Sequence, residues 1–306
     1  LLQATWSVQR KRPLFPPIDQ HSVPQRPLPD SRRLLEAFAA CLVSRWDDLL
    51  KMRHQALQQF ETDQIHDLRV ASRRLRSAIE QLGSFIGTER MERLRRPIRR
   101  LTRELSNLRN LDEARRYFAG VDLPDGCAPL LSELQQQRRR ESRRALKLLV
   151  ELDCMKLERQ VRSAGTALVT PENIASQGIL AVLAERNLQL YQTVHGLLPL
   201  AAAPEMGAER HALRIAIKKW RYFTELLHAM LGYGQQPLLT LLRQYQSVLG
   251  DLQDRAVYAE LLHDVVDLPE PVRLALQERI VREQRRLLKK FCGLLDTRPL
   301  RYHFEL

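Results

Sequence analysis

A chain of 306 residues with 49 Lys and Arg against 36 Asp and Glu carries a net charge of +13, and 44% of its residues are hydrophobic. That is enough apolar residue for a core in each of two structural units, and the excess of positive charge points to nucleic acid, anionic lipid or another polyanion as partner. The four cysteines, Cys41, Cys127, Cys154 and Cys292, form no C-x-x-C pair, which speaks against a disulfide or zinc framework. No apolar run approaches the ~18 residues that cross a bilayer, so the expectation is a cytoplasmic protein with no membrane partner.

Residues 1–30 hold Pro13, Pro16, Pro17, Pro24, Pro27 and Pro29 with little periodicity and read as an extended, proline-rich linker. The chain begins at Leu1 rather than methionine, which leaves room for an upstream segment. From Ser31 the apolar residues recur at helical spacing, and the pattern predicts eight long helices over 31–60, 64–86, 89–119, 127–164, 172–199, 207–232, 236–265 and 270–295. Leu123-Pro124-Asp125-Gly126 and Leu268-Pro269-Glu270-Pro271 punctuate the two halves in similar ways, and Thr170-Pro171-Glu172 is a helix start. The expected fold is all-α, with one four-helix half over 31–165 and a second over 166–306.

An internal repeat supports that division. His66-x-x-Arg69-x-x-x-Arg73-Arg74-x-Arg76 returns 145 positions later as His211-x-x-Arg214-x-x-x-Lys218-Lys219-x-Arg221, and Glu80 and Leu82 match Glu225 and Leu227 at the same shift. One helix later, Leu105-Ser106-Asn107-Leu108-Arg109-Asn110 aligns with Leu249-Gly250-Asp251-Leu252-Gln253-Asp254 at a shift of 144. A duplicated unit explains two motifs that stay in register across that distance.

At ~100° per residue, His66, Arg69, Arg73 and Arg76 share one stripe, and Leu68, Ala71, Leu75, Ala78 and Ile79 lie opposite. A helix buried along its leucines must then turn the basic stripe outward or into a polar channel. His211, Arg214, Lys218 and Arg221 repeat this geometry against Leu213, Ala216 and Trp220. Further basic runs follow: Arg96, Arg99, Arg100 and Arg103; Arg140, Arg143 and Arg144; and Arg282, Arg286 and Lys289. Like charges at i,i+4 repel by a few tenths of a kcal/mol, and a bound anion would offset this. Arginine donates two parallel hydrogen bonds to phosphate, and lysine adds a mobile point charge.

His66 and His211 each open a basic stripe, where an imidazole either meets phosphate or serves the packing. Asp112, Asp251 and Asp254 are read as caps or partners of arginine rather than as metal ligands. The sequence has no phosphate-binding glycine loop, no H-E-x-x-H and no nucleophile with its base. Trp46, Trp220 and Phe223 fall with the leucines, whereas proteins that bind single strands set aromatic platforms among their cations. No catalysis, cofactor or metal is therefore expected, and the ligand class favoured is a polyanion without bases.

The two histidine-led motifs, together with Arg221-Tyr222 and Leu249-Gly250-Asp251-Leu252-Gln253-Asp254, resemble the CHAD family, the conserved histidine α-helical domain, over roughly residues 31–295. The resemblance implies two four-helix bundles related by a pseudo-twofold axis, with a basic central channel or surface. It also implies binding of inorganic polyphosphate by the residues of both stripes, Arg74 and Lys219 included, and by the later runs, with placement on polyphosphate granules. No E-x-E-x-K strand occurs, so the triphosphatase activity of a domain often fused to this family is not expected. The family's Arg-Asp-x-Asp stands here as Arg109-Asn110-Leu111-Asp112, one acid short. A nucleic-acid-binding helical protein is the second reading, and a metal-dependent enzyme acting on polyphosphate the third.

Overall fold

The computed structural model describes residues 30–120, 126–175, 178–232 and 235–302. The proline-rich linker expected at the start, apart from Asp30, and most of the Leu123–Gly126 turn lie outside these residues. Among the described residues there are ten α-helices and no strand: α1 (Ser31–Gln58), α2 (Thr62–Ile86), α3 (Thr88–Ala119), α4 (Ala128–Glu151), α5 (Cys154–Leu168), α6 (Pro171–Ala175), α7 (Ile179–Ala201), α8 (Gly207–Leu231), α9 (Gln236–Asp264) and α10 (Glu270–Thr297).

Two of the eight expected helices are each divided. The span 127–164 breaks where Leu152 turns extended (ψ 114°) and the Asp153 carboxylate accepts a hydrogen bond from the Lys156 amide at 2.9 Å, so a new helix starts with its own cap. The span 172–199 divides into the single turn α6, entered through Pro171 after the Thr170 hydroxyl accepts from the Asn173 amide at 3.3 Å, and α7 beyond Gly178. Elsewhere short punctuation is enough. Gly87 alone joins α2 to α3 with φ +81°, a backbone conformation that favours glycine, and Gly232 closes α8 in the left-handed conformation at φ +75°.

Successive helices pack as neighbours: α1 on α2, α2 on α3, α3 on α4, and α7 on α8, α8 on α9, α9 on α10. α5 folds back onto α1. Across the sequence repeat, α2 packs against α8 and α3 against α9. One apolar core therefore runs through both halves, with Phe38 and Trp46 of α1, Leu75 and Ile79 of α2, and Trp220 and Phe223 of α8 all buried in it. A smaller cluster joins Phe118 of α3 and Leu130 of α4 to Tyr258 and Leu262 of α9 and Ile280 of α10. The Trp220 indole donates to Asn187 at 2.8 Å, which satisfies its one polar atom inside this core. The consequence is positional: the leucine faces of α2 and α8 are used up on either side, and their basic faces are held toward each other.

Candidate polyanion-binding cleft

The basic stripes of α2 and α8 meet instead of facing solvent separately. The charges acting most strongly on Lys218 are Arg73, Arg214, Arg69 and Arg76, and those on Arg73 include Arg69, Arg221 and Arg214. Three cations from each repeat thus form one cluster. Arg73 is only 9% exposed. Gathering so many like charges at reduced dielectric is costly without counter-charge.

Counter-charge is present at the ends and missing from the middle. Toward the C-terminal end of α2, Arg76 meets Glu80 at 3.3 Å; on α8, Arg221 meets Glu225 at 2.6 Å, with Arg243 at 3.9 Å from the same carboxylate. Toward the other end, Asp254 of α9 acts on Arg69 and Arg109, and burial raises its own pKa. Between them, among the described residues, Arg73 and Lys218 make no ion pair; Arg214 makes none either, but Asp254 acts on it. Arg73 Nη2 is a buried donor with no hydrogen-bond partner, and around it so are Arg214 Nε, Arg76 Nε, Arg221 Nε and Arg109 Nη1. A buried charged donor left unpaired costs more than a neutral one, and an anion in the middle of the cleft would offset that cost.

Protonation follows from that geometry. Burial first, and then the repulsion of Arg73, Arg214, Arg69 and Arg76, push the Lys218 ammonium down to about 6. Burial also lowers Arg73, to about 10, and neighbouring Tyr222 opposes the shift. Arg69 is lowered chiefly by burial. Its Nε donates to the Ser106 hydroxyl of α3 at 3.3 Å.

Two members of the cluster were not expected from the stripes. Tyr222 is 7% exposed and lies under two guanidinium groups, Arg73 at 5.2 Å and Arg221 at 4.5 Å from its ring centroid. The separation of aromatics from basic residues expected on sequence grounds therefore fails at this position, because Tyr222, one step beyond Arg221, reaches the cleft. At that exposure the ring presents no open platform for a base. Arg109 of α3 contacts Glu113, acts on both Arg69 and His66, and is itself lowered by burial. Its sequence signal is its place in Leu108-Arg109-Asn110 and at the head of Arg109-Asn110-Leu111-Asp112, off the basic stripes.

The remaining expected residues separate into groups. His66 stands exposed at the rim, its pKa lowered by partial burial and then by Arg109 and Arg69. His211 is exposed, and its Nδ1 lies 2.6 Å from the Gln253 amide oxygen, beside a groove of about 300 Å³ between α8, α9 and α10. Arg74 points away from the cleft, lining a small pocket on α1 with Arg45, Asp48 and Asp67, and Lys219 is exposed. The α2–α3 register, given by Ser72 against Thr102 at 3.2 Å and Arg69 against Ser106, brings exposed Arg99 level with Arg76.

The other basic runs lie on exposed faces. Arg96 and Arg100 line a groove between α3 and the α4–α5 junction with Leu148, Leu152 and Lys156. Arg96, Arg103, Arg144 and Arg282 pair with Glu92, Glu104, Glu141 and Glu278 at 2.6–3.7 Å, with Arg96 82% and Arg103 70% exposed. Arg140, Arg143, Arg286 and Lys289 are also exposed. The acids considered as metal ligands are engaged elsewhere: buried Asp112 pairs with Arg138 at 2.6 Å, and Asp254 faces arginines. Among the described residues, no group of three His, Cys, Asp or Glu could hold a metal ion, and no helix is long and apolar enough to cross a membrane.

An all-α architecture with a buried cationic cleft between sequence-repeated helices defines the class of protein. The comparisons then name its family. The CHAD domain model matches residues 25–263, and the chain belongs to the CHAD domain family. The structure resembles the crystal structure of the CHAD domain from the plant Ricinus communis, with a TM-score of 0.66 and 22% identity over 88% of this chain and 92% of that one. It also resembles PptA from Streptomyces chartreusis, with a TM-score of 0.61 and 16% identity over 86% and 97% of the two chains. These two likenesses bear on the fold alone. A search of curated proteins returns no match.

Proposed function

We propose that the chain is a non-catalytic binding module for inorganic polyphosphate, held in the cleft between α2 and α8. The observation that carries this reading is the middle of the cleft, where Arg73 Nη2 is buried without a partner and, among the described residues, neither Arg73 nor Lys218 forms an ion pair. A phosphate chain supplies what those groups lack, namely closely spaced anionic oxygens with no base to accommodate. Arg69 to Arg76 spans about 10 Å of helix at 1.5 Å per residue, so the cleft takes a short stretch of chain. Exposed Arg99 and the outer arginine runs receive the remainder. In a cell this would place the protein in the cytoplasm and on polyphosphate granules, with the two repeated halves acting as pseudo-twofold partners around one ligand.

The test is retention of long-chain polyphosphate by wild type and by the quadruple variant Arg69→Glu, Arg73→Glu, Arg214→Glu, Lys218→Glu. Loss of retention with helical content unchanged is expected, because the substitutions relieve repulsion. Wild-type affinity should fall steeply with salt as counterions are released. Equal affinity in a folded quadruple variant sinks the proposal. So does displacement of polyphosphate by duplex DNA or RNA at equal phosphate concentration, which is the outcome expected of a nucleic-acid-binding protein. Shortening of polyphosphate by purified protein with Mg²⁺ would instead reveal an enzyme.

A further inference from the structure

The repeat does not conserve chemistry at one central position: Arg73 of α2 is matched by Lys218 of α8. Guanidinium stays charged and is no nucleophile. An amine deprived of its proton is one. Lys218 is in the situation that deprives it. Arg214 and Arg221 flank it on its own helix and Arg69, Arg73 and Arg76 face it from α2, while the two nearest C-terminal carboxylates, Glu80 and Glu225, are engaged by Arg76 and Arg221. From α9, Asp254 acts on Arg214 and Arg109. Lys219, one residue on, is exposed and serves as an internal reference.

We propose that Lys218 is a modification site, acylated directly by acyl phosphates whose phosphoryl group is held by Arg73 and Arg214. This rests on the cleft being a phosphate site. The uncharged amine attacks the acyl carbon, a C–N bond forms, and the C–O bond to phosphate breaks. The phosphate leaves with the bonding electron pair and takes up the proton shed by the nitrogen. Amine plus acyl phosphate thus becomes amide plus hydrogen phosphate, with no further reactant. The product amide is longer and can take up no proton when an anion binds, so acylation obstructs the cleft and withholds the ammonium that would face a bound phosphate. The cleft would then exclude polyphosphate when acyl phosphates are abundant.

The experiment incubates the full chain with acetyl phosphate near neutral pH and follows Lys218, Lys219 and Lys289 by peptide mass spectrometry. Lys218 should react at least about tenfold faster than Lys219, because burial and its cationic neighbours push it down to about 6 and leave most of it uncharged at pH 7. At acetyl phosphate concentrations well below saturation, its rate should level off above that pH. With an uncharged acylating reagent the preference should shrink, and long-chain polyphosphate should protect Lys218 alone. Equal rates at Lys218 and Lys219, or the same preference with the uncharged reagent, overturn the proposal. Polyphosphate retention measured on the same untreated sample decides the binding reading separately, so the two can fail independently. Acetylated protein, and Lys218→Gln, should lose retention.

Discussion

Binding of polyphosphate should draw a proton from solution, and Lys218 sets the amount. In the free protein burial and the cationic neighbours push its pKa down to about 6, so at pH 7.5 most of it is uncharged. Phosphate oxygens at the amine favour the charged form and return it toward the ordinary lysine value of ~10.4. About 0.9 proton is therefore taken up per cleft, and affinity should fall nearly tenfold per pH unit above pH 6. The sign for folding is the reverse. The unfolded chain binds the proton more tightly than the folded one between pH 6 and the ordinary value, so stability of the free protein rises with pH through that window. Calorimetric titration with long-chain polyphosphate in two buffers of different ionisation enthalpy reads the uptake directly, and long chains keep terminal phosphates negligible. His66 at the rim is a second proton-binding group, its pKa lowered by burial and then by Arg109 and Arg69, so Lys218→Arg and His66→Gln are run in parallel. Uptake should vanish in the lysine variant and persist in the histidine variant. Equal binding heats in both buffers for wild type would refute the reasoning.

Other outcomes follow from the same contacts. Tyr222→Leu removes two cation–π contacts, at 4.5 and 5.2 Å, and should weaken polyphosphate binding by about 1–2 kcal/mol, while Tyr222→Phe keeps it; comparable affinities in the two variants would show that the ring does not position the arginines. Arg138→Met leaves the Asp112 carboxylate buried without its 2.6 Å partner, at a cost of about 3–5 kcal/mol in urea unfolding. Trp220→Ala empties a fully buried site and should cost a similar amount. By contrast, Arg103→Glu with Arg282→Glu touches exposed side chains. Stability should move by under about 1 kcal/mol, and polyphosphate affinity should drop far less than in the cleft variant.

Helix periodicity and the repeat were legible because both depend on residues near one another in the chain. Leucines every three to four positions located α1, α2, α3, α8, α9 and α10 within a few residues, and the His66 and His211 motifs identified α2 and α8 as equivalents. The break at Leu152 was hidden because apolar spacing continues across it, and only the Asp153 side chain turning back on the Lys156 amide marks a new start. Membership in the CHAD domain family was likewise readable from motif spacing. The sequence by itself determined which side chains share a helix face, since that depends only on 3.6 residues per turn. Tertiary structure alone decided what each face meets. It set α2 against α8, sent Arg74 to the α1 side, brought Tyr222 and Arg109 into the cluster, and left the outer arginines paired with glutamates in solvent. It also changed the chemistry of Lys218, because a lysine's proton is held or lost according to the dielectric and the charges around it, and those come from helices far apart in the chain.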